Sequence, residues 1–158
     1  LSFSAPTVSS LPMSAKKIKL VVPPPQFTLI AISCFETLHK FVWLANSHLN
    51  LQLSESDALK MPSVDVGLKE VDGLIEFPLF RDEVSNPEIT FLVVKNRIDR
   101  QSLLKELHNI DYLFIIKEFH KGFDSDVICQ RLKTIPGVMA AIPVDPTKLG
   151  SLNHILNS

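Results

Sequence analysis

The spacing of the apolar residues changes between Phe27 and Leu53, and that change limits what the chain can fold into. Phe27 to Ile32 is a nearly continuous run of apolar residues, as a buried strand requires. Ahead of it, Pro23, Pro24 and Pro25 block helix and favour an extended entry. Beyond it, Phe35, Leu38, Val42, Ala45 and Leu49 recur at three- and four-residue spacing, the stripe of an amphipathic helix. Ser33 and Glu36 have the spacing of a capping box, and Asn50 is the expected stop. Leu51, Leu53 and then Val64, Val66 and Leu68 alternate with polar residues, which predicts a long half-buried strand. Pro62 interrupts it, because proline lacks the ladder donor.

Residues 72–88, with Gly73, Pro78 and Pro87, read as an irregular connection. Ile89 to Val94 predicts a further strand. Asp99 is placed to cap a second helix with the stripe Leu103, Leu104, Leu107 and Ile110. Tyr112 to Ile116 predicts a last strand. The order over residues 26–120 is strand, helix, strand, strand, helix, strand. That order predicts an α+β, ferredoxin-like (split βαβ) two-layer sandwich, an antiparallel sheet with both helices on one face. Leu38, Val42, Ala45, Phe91, Leu103, Leu107 and Ile115 are expected to share one core. A short helix follows, with Ser125 as cap, Val127, Ile128 and Leu132 on one side, and Pro136-Gly137 as its end. The chain thus divides into an arm at 1–25, a body at 26–120, and a short helix with an extended tail at 121–158.

Charge is unevenly distributed. The 158 residues carry a net charge of -1, yet residues 1–35 contain Lys16, Lys17 and Lys19 and no acid. The remainder has 13 basic and 17 acidic residues, a balance of -4. An acid-poor, serine-rich, basic leader is how an organellar transit peptide or its remnant reads. A solvated arm without targeting function has the same composition. The longest apolar stretches, such as Val138 to Ile142, are far shorter than the ~18 residues of a membrane-spanning helix. With 46% hydrophobic and 21% charged residues, a soluble globular body is expected.

Chemistry-bearing motifs are scarce. The five glycines never come close enough for a phosphate-cradling loop, and no zinc-protease or C-x-x-C motif occurs. Cys34 and Cys129 cannot by themselves form a disulfide framework or a four-ligand zinc site. Cys34, at a strand-to-helix junction, reads first as a small packed residue, and His39 and His108 fall on the polar sides of the predicted helices. Trp43 lies at the stripe's edge, as a cover for the core margin. Neither an enzyme, a cofactor nor a metal is expected. An RNA-recognition sheet would need paired aromatics within a basic-glycine-aromatic pattern, and Phe27 and Phe91 lack it. The interleaved basic signal is confined to Lys95 and Arg97, after Phe91, and to Lys60 and Lys69, around Pro62.

The text from Phe35 to Asn46 (FETLHKFVWLAN), followed by Leu51 to Pro62 (LQLSESDALKMP), resembles the S-ten family of ribosomal proteins. It is most similar to the family's mitochondrial large-subunit branch, echoed in Glu55-Ser56-Asp57-Ala58 before the proline. A loose counterpart of that branch's short basic helix lies in Phe123, Arg131, Lys133 and Pro136. The resemblance spans about residues 26–137. Cys34 stands where the family usually has aspartate, and Ser63-Val64 where it has threonine-lysine.

The resemblance implies a non-catalytic constituent of the mitochondrial ribosome's large subunit, in the matrix, packed against ribosomal proteins and rRNA. Neither membrane nor small-molecule substrate is implied. Candidate rRNA contacts are Lys16, Lys17, Lys19, Lys60, Lys69, Lys95, Arg97, Arg131 and Lys133. Candidate protein contacts, from the two apolar patches, are Phe77, Leu79, Phe80, Val138, Met139 and Ile142. The alternatives are the small-subunit S-ten protein and a non-ribosomal ferredoxin-like regulatory or ligand-binding domain.

Overall fold

The computed structural model describes residues 27–62, 74–118 and 125–146. The arm at 1–25 with Lys16, Lys17 and Lys19, together with Lys69, Val64, Val66 and Leu68, lies outside the described residues. The elements run β1 (Phe27–Cys34), α1 (Leu38–Leu49), β2 (Ser54–Pro62), β3 (Leu74–Asp82), β4 (Ile89–Lys95), β5 (Arg97–Ile98), β6 (Gln101–Ser102), a 3₁₀ turn (Lys105–Leu107), β7 (Tyr112–Glu118), α2 (Ser125–Lys133) and β8 (Val138–Val144). Six of the strands form one antiparallel sheet in the order β2-β3-β4-β7-β1-β8. The fold is α+β.

Helix α1 forms where the stripe places it, but begins later than the Ser33–Glu36 spacing predicts. Ser33 belongs to β1, and the cap is Thr37, whose hydroxyl accepts from the Lys40 N–H. Phe35 therefore drops out of the stripe and is 70% exposed. Leu38, Phe41, Val42, Leu44, Ala45 and Leu49 carry the buried face, while Trp43 points outward instead of covering the core margin. Asn50 ends the helix in the left-handed region, with φ 56.

Both helices pack on one face of the sheet. Under them lie Ile30, Ile32, Phe91, Val93, Phe114 and Ile116, in one cluster with Phe41, Leu132 and Ile135. Each such large apolar side chain contributes roughly 1.5–3 kcal/mol on burial. The opposite face has its own core of Leu29, Phe77, Leu79, Leu92, Val94, Leu113 and Ile115, joined by Leu103 and Leu104. The single core expected from the sequence is thus two. Leu38, Val42, Ala45 and Phe91 lie on one side, and Leu103, Leu107 and Ile115 on the other.

Residues 99–110 are not a helix. Asp99 has φ 54, which an N-cap residue does not adopt, and it opens the two-residue loop of the β5–β6 hairpin. The apolar residues of the expected stripe still face the sheet, Leu103 and Leu104 buried and Leu107 and Ile110 partly so. Asn96, fully buried, supplies the order a helix would have provided. Its amide NH₂ donates to the carbonyls of Leu107 (2.8 Å) and Ile110 (2.9 Å), and its side-chain oxygen accepts from the Leu104 N–H (3.0 Å). Its own backbone bonds Asp111 and Leu103.

Two further segments differ from expectation. Residues 74–82 are strand β3, within the stretch read as an irregular connection. Pro78 is accommodated by a bulge, because Leu79 pairs with Ser56 and Phe77 with Leu59, which leaves Asp57 and Ala58 opposite the proline. Residues 138–144 are strand β8, paired antiparallel with β1, and not an extended tail. Helix α2 feeds that strand. It buries Cys129 and Leu132 and leaves Val127 half exposed, and Gly137 (φ 96) makes the turn into β8.

The end of β3 is fixed by Asp82, 1% exposed, whose carboxylate accepts from the N–H groups of Gln52 (2.8 Å), Val84 (2.9 Å) and Ser85 (2.9 Å). Burial pushes this carboxyl up, but those bonds outweigh it and hold it below its ordinary value of 3.8. A carboxyl depressed by folding stabilises the fold above its unfolded pKa, and that stabilisation is lost as pH falls through the folded value. Asp82→Asn is therefore expected to cost about 1–3 kcal/mol near neutral pH. The gap between the variant and the natural chain should stay constant down to about pH 5 and shrink below about pH 4. Urea unfolding at a series of pH values checks this, and a gap that persists in acid would contradict it.

Candidate functional site

The basic candidates fall in three separate places. Lys60 is exposed on β2, at one edge of the sheet, opposite Glu76. Arg131 and Lys133 are exposed on the last turn of α2, where cations complement the helix dipole, beside the other edge strand β8. Lys95 ends β4 and Arg97 begins the β5–β6 hairpin, two residues further along the chain.

The apolar candidates divide. Phe77, Leu79 and Phe80 are 2%, 3% and 6% exposed, because β3 is an interior strand whose side chains enter the cores on both faces. They cannot serve as a docking patch. Val138 is half buried against the helix-side core, whereas Met139 (63%) and Ile142 (53%) are exposed on β8.

The hairpin and the turn after it enclose a cleft of about 320 Å³. Arg97, Asp99, Arg100, Gln101, Ser102, His108 and Asn109 line it, with no apolar side chain among them. Local geometry builds this cleft. Arg97 pairs with Ser102 and Ile98 with Gln101 across the hairpin, so Asp99 and Arg100 form its tip. The Ser102 hydroxyl donates to the His108 carbonyl (3.4 Å), tying hairpin to turn. The Arg97 guanidinium lies 3.6 Å from Asp111, whose other carboxylate oxygen accepts from the Cys34 N–H (2.9 Å). The cleft is thereby anchored to β1. Of its lining, only Arg97 was legible as a candidate. Arg100, Gln101, Ser102 and Asn109 carry no motif, and His108 read as the solvated side of a helix.

The remaining reactive groups are packed into structure. Burial pushes the Cys34 thiol up, and its sulfur accepts from the Glu36 N–H (3.4 Å). Burial likewise raises Cys129. A buried thiol with a raised pKa is a poor nucleophile. Tyr112 stacks on Phe41 at 5.2 Å and donates its hydroxyl to the Glu36 carbonyl. Burial, with Cys34, Asp111 and Glu36 nearby, pushes it up to about 12. His39 stands edge-on to Phe80 at 5.4 Å, and His48 Nδ1 is 2.9 Å from the Leu44 carbonyl. His120 and His154 lie outside the described residues.

Comparison with protein-family models, curated proteins and solved structures finds no match to this chain.

Among the described residues no group of His, Cys, Asp and Glu is placed to hold a metal ion. Nor, among them, is any helix long and apolar enough to cross a membrane. The polar cleft beside the β5–β6 hairpin brings two guanidinium groups, Arg97 and Arg100, to one carboxylate, Asp99.

Proposed function

We propose that this chain is a non-catalytic structural constituent of the mitochondrial ribosome, in the large subunit, packing against neighbouring ribosomal proteins and rRNA. The strand order is the observation that carries the reading. Taken without the β2–β3 hairpin, the sheet runs β8-β1-β7-β4, with α1 between β1 and β4 in the chain and α2 between β7 and β8. We read this as the split βαβ, ferredoxin-like arrangement with a hairpin inserted after α1. It is the sandwich implied by the S-ten resemblance, with the second helix supplied by residues 125–133 in place of 99–110. Within the family the reading favours the mitochondrial large-subunit member, protein L forty-eight.

Three features support this reading. The chain's net charge is only -1, with no overall basic field for a protein held by rRNA alone. Of the candidate cations, Lys60, Arg97, Arg131 and Lys133 are exposed, and Arg97 lines the cleft. Met139 and Ile142 leave apolar side chains exposed on edge strand β8, suited to a protein neighbour. The cleft also favours a second reading, a ligand-binding ferredoxin-like domain outside the ribosome. Sedimentation with separated mitochondrial subunits tests the first reading against this one and against the small-subunit S-ten protein.

A further inference from the structure

We propose that the cleft between the β5–β6 hairpin and the following turn is a phosphate-binding site, with Arg97 and Arg100 as its cationic arms. A lining without an apolar side chain suits a polar ligand. It offers two guanidinium groups, each a planar fork matched to phosphate oxygens, with the exposed His108 and Asn109 as further polar groups. One carboxylate, Asp99, lies in the lining.

The two arginines have different parts. Arg97 is held by Asp111, which is itself fixed by the Cys34 amide, so its guanidinium is oriented before any ligand arrives. Arg100, at the hairpin tip, makes no ion pair among the described residues and is exposed. At about 320 Å³ the cleft has room for a group of roughly nucleotide size. The buried Asn96 next to Arg97 bonds the backbone at Leu104, Leu107 and Ile110 and so holds the turn that carries His108 and Asn109. The phosphate comes from an RNA backbone or from a free nucleotide. The ribosomal reading bears only on that source.

The test uses the full chain, a labelled single-stranded RNA oligonucleotide, inorganic phosphate and a mononucleotide. RNA binding is followed by fluorescence anisotropy across a salt series, and phosphate and mononucleotide binding by thermal shift. Arg100→Gln and His108→Gln are expected to melt with the natural chain, since both side chains are exposed. Arg100→Gln is expected to weaken RNA binding and to flatten the log–log salt slope by about 0.7, the loss of one phosphate contact on a single strand. Lys40→Gln, exposed on α1 and away from the cleft, should leave RNA binding unchanged. Stabilisation by phosphate or mononucleotide that Arg100→Gln abolishes, without RNA binding, assigns the site to a free phosphate. RNA and phosphate affinities that are both absent, or both indifferent to Arg100→Gln and His108→Gln, overturn the proposal. The subunit assignment is decided separately by sedimentation, so either conclusion can fail alone.

Discussion

Asn96→Ala is expected to lower the unfolding free energy by about 3–5 kcal/mol, since two carbonyls and one amide lose a buried partner together. The side chain is completely enclosed, so partners left unpaired there carry a desolvation cost. The loss should extend beyond the turn itself. Leu103 and Leu104 cover the face of Leu29, Leu92, Leu113 and Ile115, and they are held there by Asn96. Leu107→Ala should cost clearly less, because Leu107 only partly enters that core. Equilibrium urea unfolding of the full chain measures both. A cost for Asn96→Ala below about 1 kcal/mol would mean that the turn is not organised by this side chain.

Phe114→Ala carries the second large effect, about 3–5 kcal/mol. Phe114 is fully buried on β7, paired with Ile30 on β1 and Val93 on β4, and its ring lies 6.2 Å from that of Phe91. Truncation there opens a cavity between the sheet and both helices, where neither strand can collapse inward without breaking its register. Phe35→Ala is the matched control. At 70% exposure that ring should contribute within about 0.5 kcal/mol, although its spacing places it in the α1 stripe. Thermal melts of the two variants side by side decide the matter. Equal losses would put Phe35 back in the core and contradict the helix start at Thr37.

The elements legible in the sequence are those whose periodicity has one interpretation. Phe27–Cys34, Ile89–Lys95 and Tyr112–Glu118 are short β-branched and aromatic runs that only an interior strand accommodates. The α1 stripe continues for three turns before Asn50. The spacing of Leu103, Leu104, Leu107 and Ile110 is ambiguous, since a compact turn lying on one sheet face places its apolar residues much as a helix does. A buried asparagine outside the stripe resolved it, and nothing local to residues 99–110 marks Asn96 as the organiser.

Prolines obscured the other two segments. Pro78 demotes a strand on local rules, but the extra residue on β2 forms a bulge where the missing donor is tolerated. Pro143 is compatible with β8 because that strand is at an edge of the described sheet. Once β3 is interior, Phe77, Leu79 and Phe80 turn from a surface patch into core. The cleft was least legible of all. Its lining comes from a hairpin tip and a turn that the sequence presents as one helix, and no residue spacing encodes their meeting.

Subunit sedimentation tests the proposed placement in the mitochondrial large subunit most directly. Mitochondrial ribosomes separated at low magnesium, and probed with an antibody to this chain, should show it in the large-subunit fractions. Recovery with the small subunit would transfer the assignment to the small-subunit S-ten protein. Recovery at the top of the gradient, free of either subunit, would contradict the ribosomal account.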